Sequence, residues 1–575
     1  MNENSSNSIV GIDLGTSTTE ASLIRGGKPC MIPVQDETFI MPSAVGVDDT
    51  GKLFAGEKAR SRYMMHPEST AIEVKRKIGT GEEITLGGKK YTPVALSAEI
   101  LSGIKKYISD FAGEEVNRAV ISVPAYFDDI QRRETVEAGK LAGFEVERII
   151  NEPTAAALSY GLEHIEEESH ILVYDLGGGT FDVTLLEMFG GVLEVKASSG
   201  DNALGGKDFD EALARYLENR FKEETGVDLT DNLYARVKVK EEAEACKKAL
   251  STEESYRVLL PMLAEKNGEP VALDLTVTTE EFKTLTRELL ERTHHPIDVV
   301  LGDGKVKPED IDKILLVGGS TRMPMIAEDI EKYLHMAPSR LVDPDYAVAQ
   351  GAAIQAGILS GEINQEESVV MTDVNPYTLG IRIEDGFTDD RMSILIPRNI
   401  TIPVTKSQVY YTSWDNQPAA DIEVYQGEES IASRNHFLGK FTIAGIPPRK
   451  AGAERIGVEF SYDMNGMLKV KANIISTGNE AEISIDMTKG QEEADSSRID
   501  VSKWKEAPNA KAFKTVIRRA ERVLKNLNSK NEIAFYRDDL EDCLYLLKRA
   551  LVEDNIEEAN DAEEELLDLL EDLEQ

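Results

Sequence analysis

Two segments of this chain repeat one pattern: an apolar run ending in Asp-Leu-Gly, a turn of small and hydroxyl residues, then a second apolar run. Gly11-Ile-Asp-Leu-Gly-Thr16 leads into Glu20–Ile24, and Tyr174-Asp-Leu-Gly-Gly-Gly179-Thr180 leads into Phe181–Leu186. Such an internal echo predicts two similar lobes, each presenting a strand–turn–strand hairpin. Small residues in the turns let backbone N–H groups approach anionic oxygens, and hydroxyls add donors. An Asp at the end of each first strand can hold Mg2+, mostly through water. A third segment, Leu316-Val-Gly-Gly-Ser-Thr-Arg322, again runs from a strand through Gly-Gly towards a helix and suits a phosphate or nucleoside contact.

Strand and helix patterns alternate up to about residue 360. Ile9–Leu14, Ala119–Val123, Ile171–Asp175 and Ile314–Val317 read as buried strands. Ile130–Leu141, Gly206–Thr225, Thr279–Arg292 and Ala347–Ile358 read as helices. The alternation predicts an α/β fold with ligands in the turns after the strands. A boundary falls near Ser360–Asp373. Residues 375–490 then alternate apolar and polar side chains between Gly, Pro and Asn, as a β-sandwich does. From about 509 the pattern is helical. Phe513, Ile517, Ala520, Leu524 and Leu527 begin an apolar stripe that Ile533, Tyr536, Leu540, Cys543, Leu547 and Ala550 continue, followed by Ala559, Ala562, Leu566, Leu569 and Leu573. That spacing predicts a small helical bundle.

Composition narrows the partners. The 575 residues carry a formal charge of −40. That disfavours nucleic acid and anionic membrane surfaces, which need a basic field. Any anionic ligand must be held locally, by backbone N–H groups, a metal or a few cations. The start, MNENSSNSIVGID, has neither a basic nor a long apolar region, so no secretory signal is expected. Cys30, Cys246 and Cys543 are few and far apart, which predicts reduced, buried thiols and no disulfide framework. The last 25 residues hold many acids and no base, whereas Lys511, Lys514, Arg518, Arg519, Arg522 and Lys525 make the preceding helix basic. An acidic helix closing on a basic one and a merely solubilising tail are the two readings this leaves open.

Other nucleotide motifs fail. Gly177-Gly-Gly-Thr-Phe-Asp182 is not G-x-G-x-x-G. Gly200-Asp-Asn-Ala-Leu-Gly205 has P-loop glycine spacing, but Gly206 stands where Lys is needed and Lys207 is followed by Asp. The strings EVKRKIG, AVISVPAYFDDIQRRE, RIINEPTAAALSYGL, YDLGGGTFDVTLL, GDNALGGKDFD, LLVGGSTRMP and DPDYAVAQGAAIQAGILSG, followed by NPYTLGI, LIPRNITIPVTKSQVY, DNQPA and GKFTIAGIPP, resemble the 70-kDa heat-shock chaperone family of the DnaK type.

The resemblance implies a multidomain chain. Residues 1–365 would form a two-lobed, actin-like (ribonuclease H-like) α/β ATPase domain and 366–374 a linker. Residues 375–500 would form a β-sandwich that binds peptide, and 501–575 a short α-helical lid. It implies ATP or ADP with Mg2+, and K+ near Asp13 and Asp182. Lys75, Glu152, Asp175 and Thr180 would be catalytic, with Lys75 orienting the attacking water. Asp13, Gly15, Thr16, Ser17, Thr18, Gly177, Gly178, Gly179 and Asp182 would surround phosphates and metal, the metal set being Asp13, Asp175 and Asp182. Gly205, Gly206, Glu244, Lys247, Lys248, Ser251, Gly318, Gly319, Ser320, Arg322 and Asp345 would complete the nucleotide site, with Arg322 stacking on adenine. Pro124 and Arg132 would relay nucleotide state, and Arg148 would lie near a surface for J-domain partners.

The peptide pocket would use Ile381, Ile383, Glu384, Tyr410, Ser413, Ala420 and Ile422. Here the chain departs from the family pattern. Ala420 replaces a bulky Val, Glu384 and Ser413 replace apolar arch residues, and Val369-Val-Met-Thr372-Asp373 replaces a leucine-rich linker. Tyr411 and Trp414 are additions near the pocket loops. Expected partners are unfolded or extended polypeptides, a J-domain co-chaperone and a GrpE-type exchange factor, with no nucleic acid or membrane. The chain would be cytoplasmic and mostly monomeric. A specialised relative serving few clients is the alternative reading. A metabolic kinase or a filament protein of the same ATPase superfamily is opposed by residues 375–575.

Overall fold

Both Asp-Leu-Gly segments are hairpins. The computed structural model describes residues 8–35, 38–162, 164, 167–339, 341–363, 370–384, 388–484, 501–526 and 534–574. Within it, Ile9–Leu14 pairs antiparallel with Thr18–Arg25, and Ser169–Leu176 with Phe181–Phe189. Each hairpin belongs to its own six-stranded sheet. The first runs Glu145–Asn151, Arg118–Val123, Ile9–Leu14, Thr18–Arg25, Lys28–Met31, with Met41–Pro42 also on Thr18–Arg25. The second runs Lys313–Val317, Ser169–Leu176, Phe181–Phe189, Val192–Asp201, Val370–Val374, Thr401–Ile402. Val10, Ile12, Ile121, Leu172 and Val183 are fully buried, because helices cover both faces of these sheets and the strands need no polar side.

Each sheet has its own apolar core, and a third core joins them. That joint is made by the alanine-rich helices Glu152–Gly161 and Ala347–Ser360, whose small side chains let the two sheets approach. The helix Gly206–Thr225 has the bounds its sequence predicts. The helix from Thr279 is longer than expected and runs to Gly304 through Pro296. Pro296 removes one backbone donor, but Ile297, Val300 and Leu301 are buried one turn later, so packing carries the helix past it.

Val370–Val374 is a strand and not a free connector. It pairs in parallel with Val192–Asp201, Val370 facing Val192 and Met371 facing Leu193. The linker residues expected at 366–369 lie outside the described residues.

The chain divides into two units: Met1–Pro376 with Asn399–Val404 and Tyr462–Met467, and Tyr377–Arg398 with Thr405–Ser461 and Leu468–Gln575. The second unit holds two four-stranded sheets. One is ordered Arg391–Ile396, Leu379–Ile383, Ala419–Gln426, His436–Ala444; the other Val404–Tyr411, Arg455–Tyr462, Leu468–Ile474, Glu480–Ser484. Alternation along Arg455–Tyr462 buries Ile456, Val458 and Phe460 and exposes or half-exposes the residues between.

Helices Ala510–Asn526, Ala534–Val552 and Ile556–Glu574 then pack around Trp504, Phe513, Ile517, Ala520, Leu540, Leu547, Leu566 and Leu570. Leu527 and Ile533 of the expected stripe lie outside the described residues, as do the side chains of Tyr536 and Leu573. The reading in which the acidic helix closes on the basic one needs correction. Their shared contact is apolar, and Lys511, Lys514, Arg518, Arg522 and Lys525 are exposed, because the amphipathic pattern turns the charged side away from the core. Cys246 and Cys543 are buried free thiols, while Cys30 is only half-buried, at the edge of its sheet. Among the described residues no helix is long and apolar enough to cross a membrane.

Candidate functional site

The tips of the two hairpins meet at the floor of a cleft of about 1070 Å3. Their approach is so close that only glycine fits. A Cβ on Gly178 would lie 2.4 Å from Ser17 Oγ, and one on Gly179 would lie 2.8 Å from Thr16 Oγ1. The cleft is lined by Asp13, Gly15, Thr16, Ser17, Thr18, Asp175, Gly177, Gly178 and Thr180. Gly179, Gly205 and Asp182 adjoin these residues without forming part of the lining.

The hairpins also repeat an acid pair. Asp13 faces Glu20 across the first, and Asp175 faces Asp182 across the second. The Ser122 hydroxyl donates to Asp13 Oδ1 at 2.7 Å, and the Tyr126 N–H donates to Asp182 Oδ1 at 3.0 Å. Burial raises all four acids, and their mutual repulsion adds to it for Glu20 and Asp175. Asp182 is pushed up to about 7 by burial and by the neighbouring Glu152 charge.

Lys75 enters from a short 3-10 turn, Val74–Lys77, and is 6% exposed. Its Nζ lies 2.5 Å from Glu152 Oε1 and above the Phe127 ring. Glu152 opens the helix Glu152–Gly161. Burial drives its carboxyl up to about 7, against the opposing pull of the Lys75 charge.

The far wall comes from the helix Leu233–Ala249 and the segment after Val317. Gly206, Glu244, Lys247, Lys248, Ser251, Gly318, Gly319, Ser320, Arg322 and Asp345 all line it. Gly318 has φ 82°, and a Cβ there would meet the Leu176 carbonyl oxygen at 2.4 Å. Ser320 Oγ donates to the Gly177 carbonyl at 2.8 Å, tying this wall to the second hairpin. Arg322 donates from Nε to Asp345 Oδ2 at 2.9 Å and from Nη2 to Asp343 Oδ1 at 3.0 Å, which fixes its guanidinium plane at the rim. Burial alone would raise Glu244, yet Lys207, Lys248 and Lys247 together hold it well below the usual carboxylate range.

In the second unit, Ile381 lies opposite Val424, so Ile381 and Ile383 share a sheet face with Ala420 and Ile422. Ile381 and Ile422 are buried; Ile383 and Ala420 are half-buried. The Tyr410 hydroxyl, from the other sheet, lies 2.9 Å from Ser393 Oγ, and Ser393 is the cross-strand partner of Ile381. Tyr410 therefore reaches the same apolar spot. Glu384 and Ser413 are exposed, as are Tyr411 and Trp414. The turn carrying them is stapled: Lys450 pairs with Asp415 at 3.0 Å, and the Ala451 N–H donates to Asp415 Oδ1 at 2.9 Å.

The profile of the Hsp70 protein family matches residues 9–83 and 80–575, nearly the whole chain. The chain belongs to the Hsp70 family. Hsp70 proteins are ATP-dependent chaperones. They have a two-lobed, actin-like ATPase domain and a substrate-binding domain, bind ATP or ADP with Mg2+, and act on unfolded polypeptides with co-chaperones.

The cleft fits such a nucleotide–metal pair. Asp175 Oδ2 and Asp182 Oδ2 are buried and accept no hydrogen bond, and Asp13, Glu20, Glu152, Asp175 and Asp182 share the pull of one lysine, Lys75, with Arg132 adding to it at Asp182. A divalent cation would relieve that excess. Among the described residues no three His, Cys, Asp or Glu side chains converge as direct ligands, which leaves water and phosphate oxygens to complete its shell.

Sequence reasoning missed Glu20, Lys207 and Arg60, whereas Arg132 and Arg148 were expected from the resemblance. Glu20 stands seven residues after Asp13, as Asp182 does after Asp175, so the repeat itself carried the signal. Lys207, dismissed with the failed P-loop, is buried in the cleft and lies 3.2 Å from Glu244. Arg60, on the first lobe, reaches Glu241 at 2.8 Å and Glu244 at 3.1 Å on the second. No local pattern marked it. Arg132 is buried and donates from Nη2 to Asn151 Oδ1 at 2.8 Å. Arg148 is half-buried and donates to Gln355 Oε1 at 3.2 Å.

Proposed function

We propose that this Hsp70 is a DnaK-type ATPase chaperone whose pocket accepts basic residues beside an apolar anchor. The observation that carries the reading is the pair of interlocked Asp-Leu-Gly turns closing one cleft around buried Lys75, with the linker strand paired to the sheet of the second turn. ATP binding opens the sandwich, and hydrolysis traps an extended segment beneath the lid. Lys75, held by Glu152, orients the attacking water. Asp13, Asp175 and Asp182 would hold Mg2+, which would neutralise phosphate charge there, and Asp13 and Asp182 would also serve K+. Residues 1–365 form the ATPase domain, 375–500 the peptide sandwich and 501–575 the lid, in a cytoplasmic protein.

The pocket departures support a narrowed client range. Half-buried Ala420 widens the space that a valine would fill, and exposed Glu384 sets a negative charge at its rim. An extended segment with Leu or Ile at the centre and Lys or Arg alongside fits both. A J-domain protein and a GrpE-type exchange factor complete the cycle. The deciding test is steady-state ATP turnover with an unstructured peptide. A Leu-centred peptide with flanking Lys should stimulate several-fold, and more than its Glu-flanked counterpart. No stimulation by either peptide rules the reading out. Ala420→Val together with Glu384→Met should erase the preference for basic flanks.

A further inference from the structure

The helix Ala510–Asn526 buries Phe513, Val516, Ile517 and Ala520 in the bundle. Its opposite side is a ridge of Lys511, Lys514, Arg518, Arg522 and Lys525, all exposed. Their 3-4-4-3 spacing keeps them within an arc of about 80° at about 100° per residue. The ridge runs about 21 Å, at about 1.5 Å rise per residue. Among the described residues none of the five has an ion-pair partner. The acid of this helix, Glu521, is taken by Lys548 at 2.8 Å.

The helix Ile556–Glu574 carries the counterpart. It buries Ala559, Ala562, Leu566 and Leu570. Asp561 and Glu564 lie on the side opposite that stripe, with Glu565 flanking them. Asp561, Glu564 and Glu565 are exposed, and none of these three has an ion-pair partner among the described residues. Both ridges point away from the apolar core their helices share, so one chain cannot bring them together.

We propose that a second copy of this chain covers the basic ridge with its acidic one, the two lids exchanging the contact about a twofold axis. The two ridges are opposite in charge, and a twofold arrangement uses each ridge of each chain once. Nucleic acid or an anionic membrane would match the ridge alone but would meet the rest of a chain whose net charge is −40. Single exposed ion pairs contribute little, so the dimer depends on the whole ridge and is weak, concentration-dependent and salt-sensitive. This departs from the monomer expected from the sequence and is independent of the pocket reading.

Sedimentation velocity on the full chain with ADP tests it. Dimer should form near about 20 mM salt and dissociate near about 500 mM, where screening shortens to a few ångströms. The triple variant Lys511→Glu, Lys514→Glu, Arg518→Glu should weaken self-association at least about tenfold, and the single change Arg518→Glu should act in the same direction. The variant Asp561→Lys, Glu564→Lys, Glu565→Lys should lose it too. Mixing the two triple variants should restore a heterodimer, which a folding defect would not allow. The proposal falls if the chain stays monomeric at low salt, if the mixed variants do not associate, or if the ridge retains a single-stranded oligonucleotide or phosphatidylserine vesicles without self-association.

Discussion

Asn151 Nδ2 donates to Asp373 Oδ2 at 2.8 Å, and the next residue, Glu152, holds Lys75. One peptide bond thus separates a group bound to the linker strand from a group bound to the buried lysine of the cleft. Arg132 completes the connection by donating to Asn151 Oδ1. Asn151→Ala should leave basal ATP turnover within about threefold of the parent and abolish its stimulation by peptide. Stimulation of parental size in the variant would show that coupling takes another route.

Lys75→Ala should preserve nucleotide binding and lower single-turnover hydrolysis by about 100-fold or more, the usual range for losing a group that positions a reacting proton or water. Turnover close to the parental rate would remove Lys75 from the chemistry.

Arg60 spans the mouth of the cleft from one lobe to Glu241 and Glu244 on the other. Arg60→Ala should raise the ADP dissociation rate several-fold in stopped-flow displacement, with little effect on association. The salt dependence of release should flatten as well, because a partly exposed ion pair is being removed.

Glu152 titrates near 7 when folded, because burial penalises its charged form more than Lys75 rewards it. A raised carboxyl binds more protons folded than unfolded between about pH 4.3 and about 7. Its contribution to stability is therefore fully present at the acid end of that window and is lost as pH rises through it. Nucleotide-free protein should melt at progressively lower temperature from pH 5 to pH 8, and Glu152→Gln should reduce that slope. A slope unchanged by the substitution would assign the titration to other groups.

Arg549 of the lid donates from Nη1 to Asp390 Oδ2 at 2.7 Å, and Asp390 is fully buried beside Ser433. Arg549→Ala strips a buried carboxylate of a charged partner and should cost about 2–4 kcal/mol. Denaturant unfolding followed by lid-specific signals, and faster release of a labelled peptide, would register it.

The sequence made the hairpin tips legible because contact between two turns demands glycine, and glycine runs are conspicuous. It hid Glu20, since an acid within an apolar strand looks like ordinary alternation until register pairs it with Asp13. Lys207 was passed over because the motif around it failed, although its burial beside Glu244 depends on a helix and not on a loop. Val370–Val374 looked like a connector because strand pairing with Val192–Asp201 is a long-range fact. The helical pattern from Thr279 was read only to Arg292, and the apolar packing beyond Pro296 shows why the helix continues. Composition left open whether the charged helices were mutual partners, whereas the phase of each stripe decides which way its charges face.

The chain has two tryptophans, Trp414 exposed on the stapled turn and Trp504 buried in the helical bundle. They sit in opposite optical environments, one red-shifted by water and one shielded from it. An unlabelled sample is therefore its own instrument. Quenching by iodide reports the turn that carries Trp414, while the blue-edge emission reports whether the helical bundle is intact, and the two signals can be followed at once during a single nucleotide cycle.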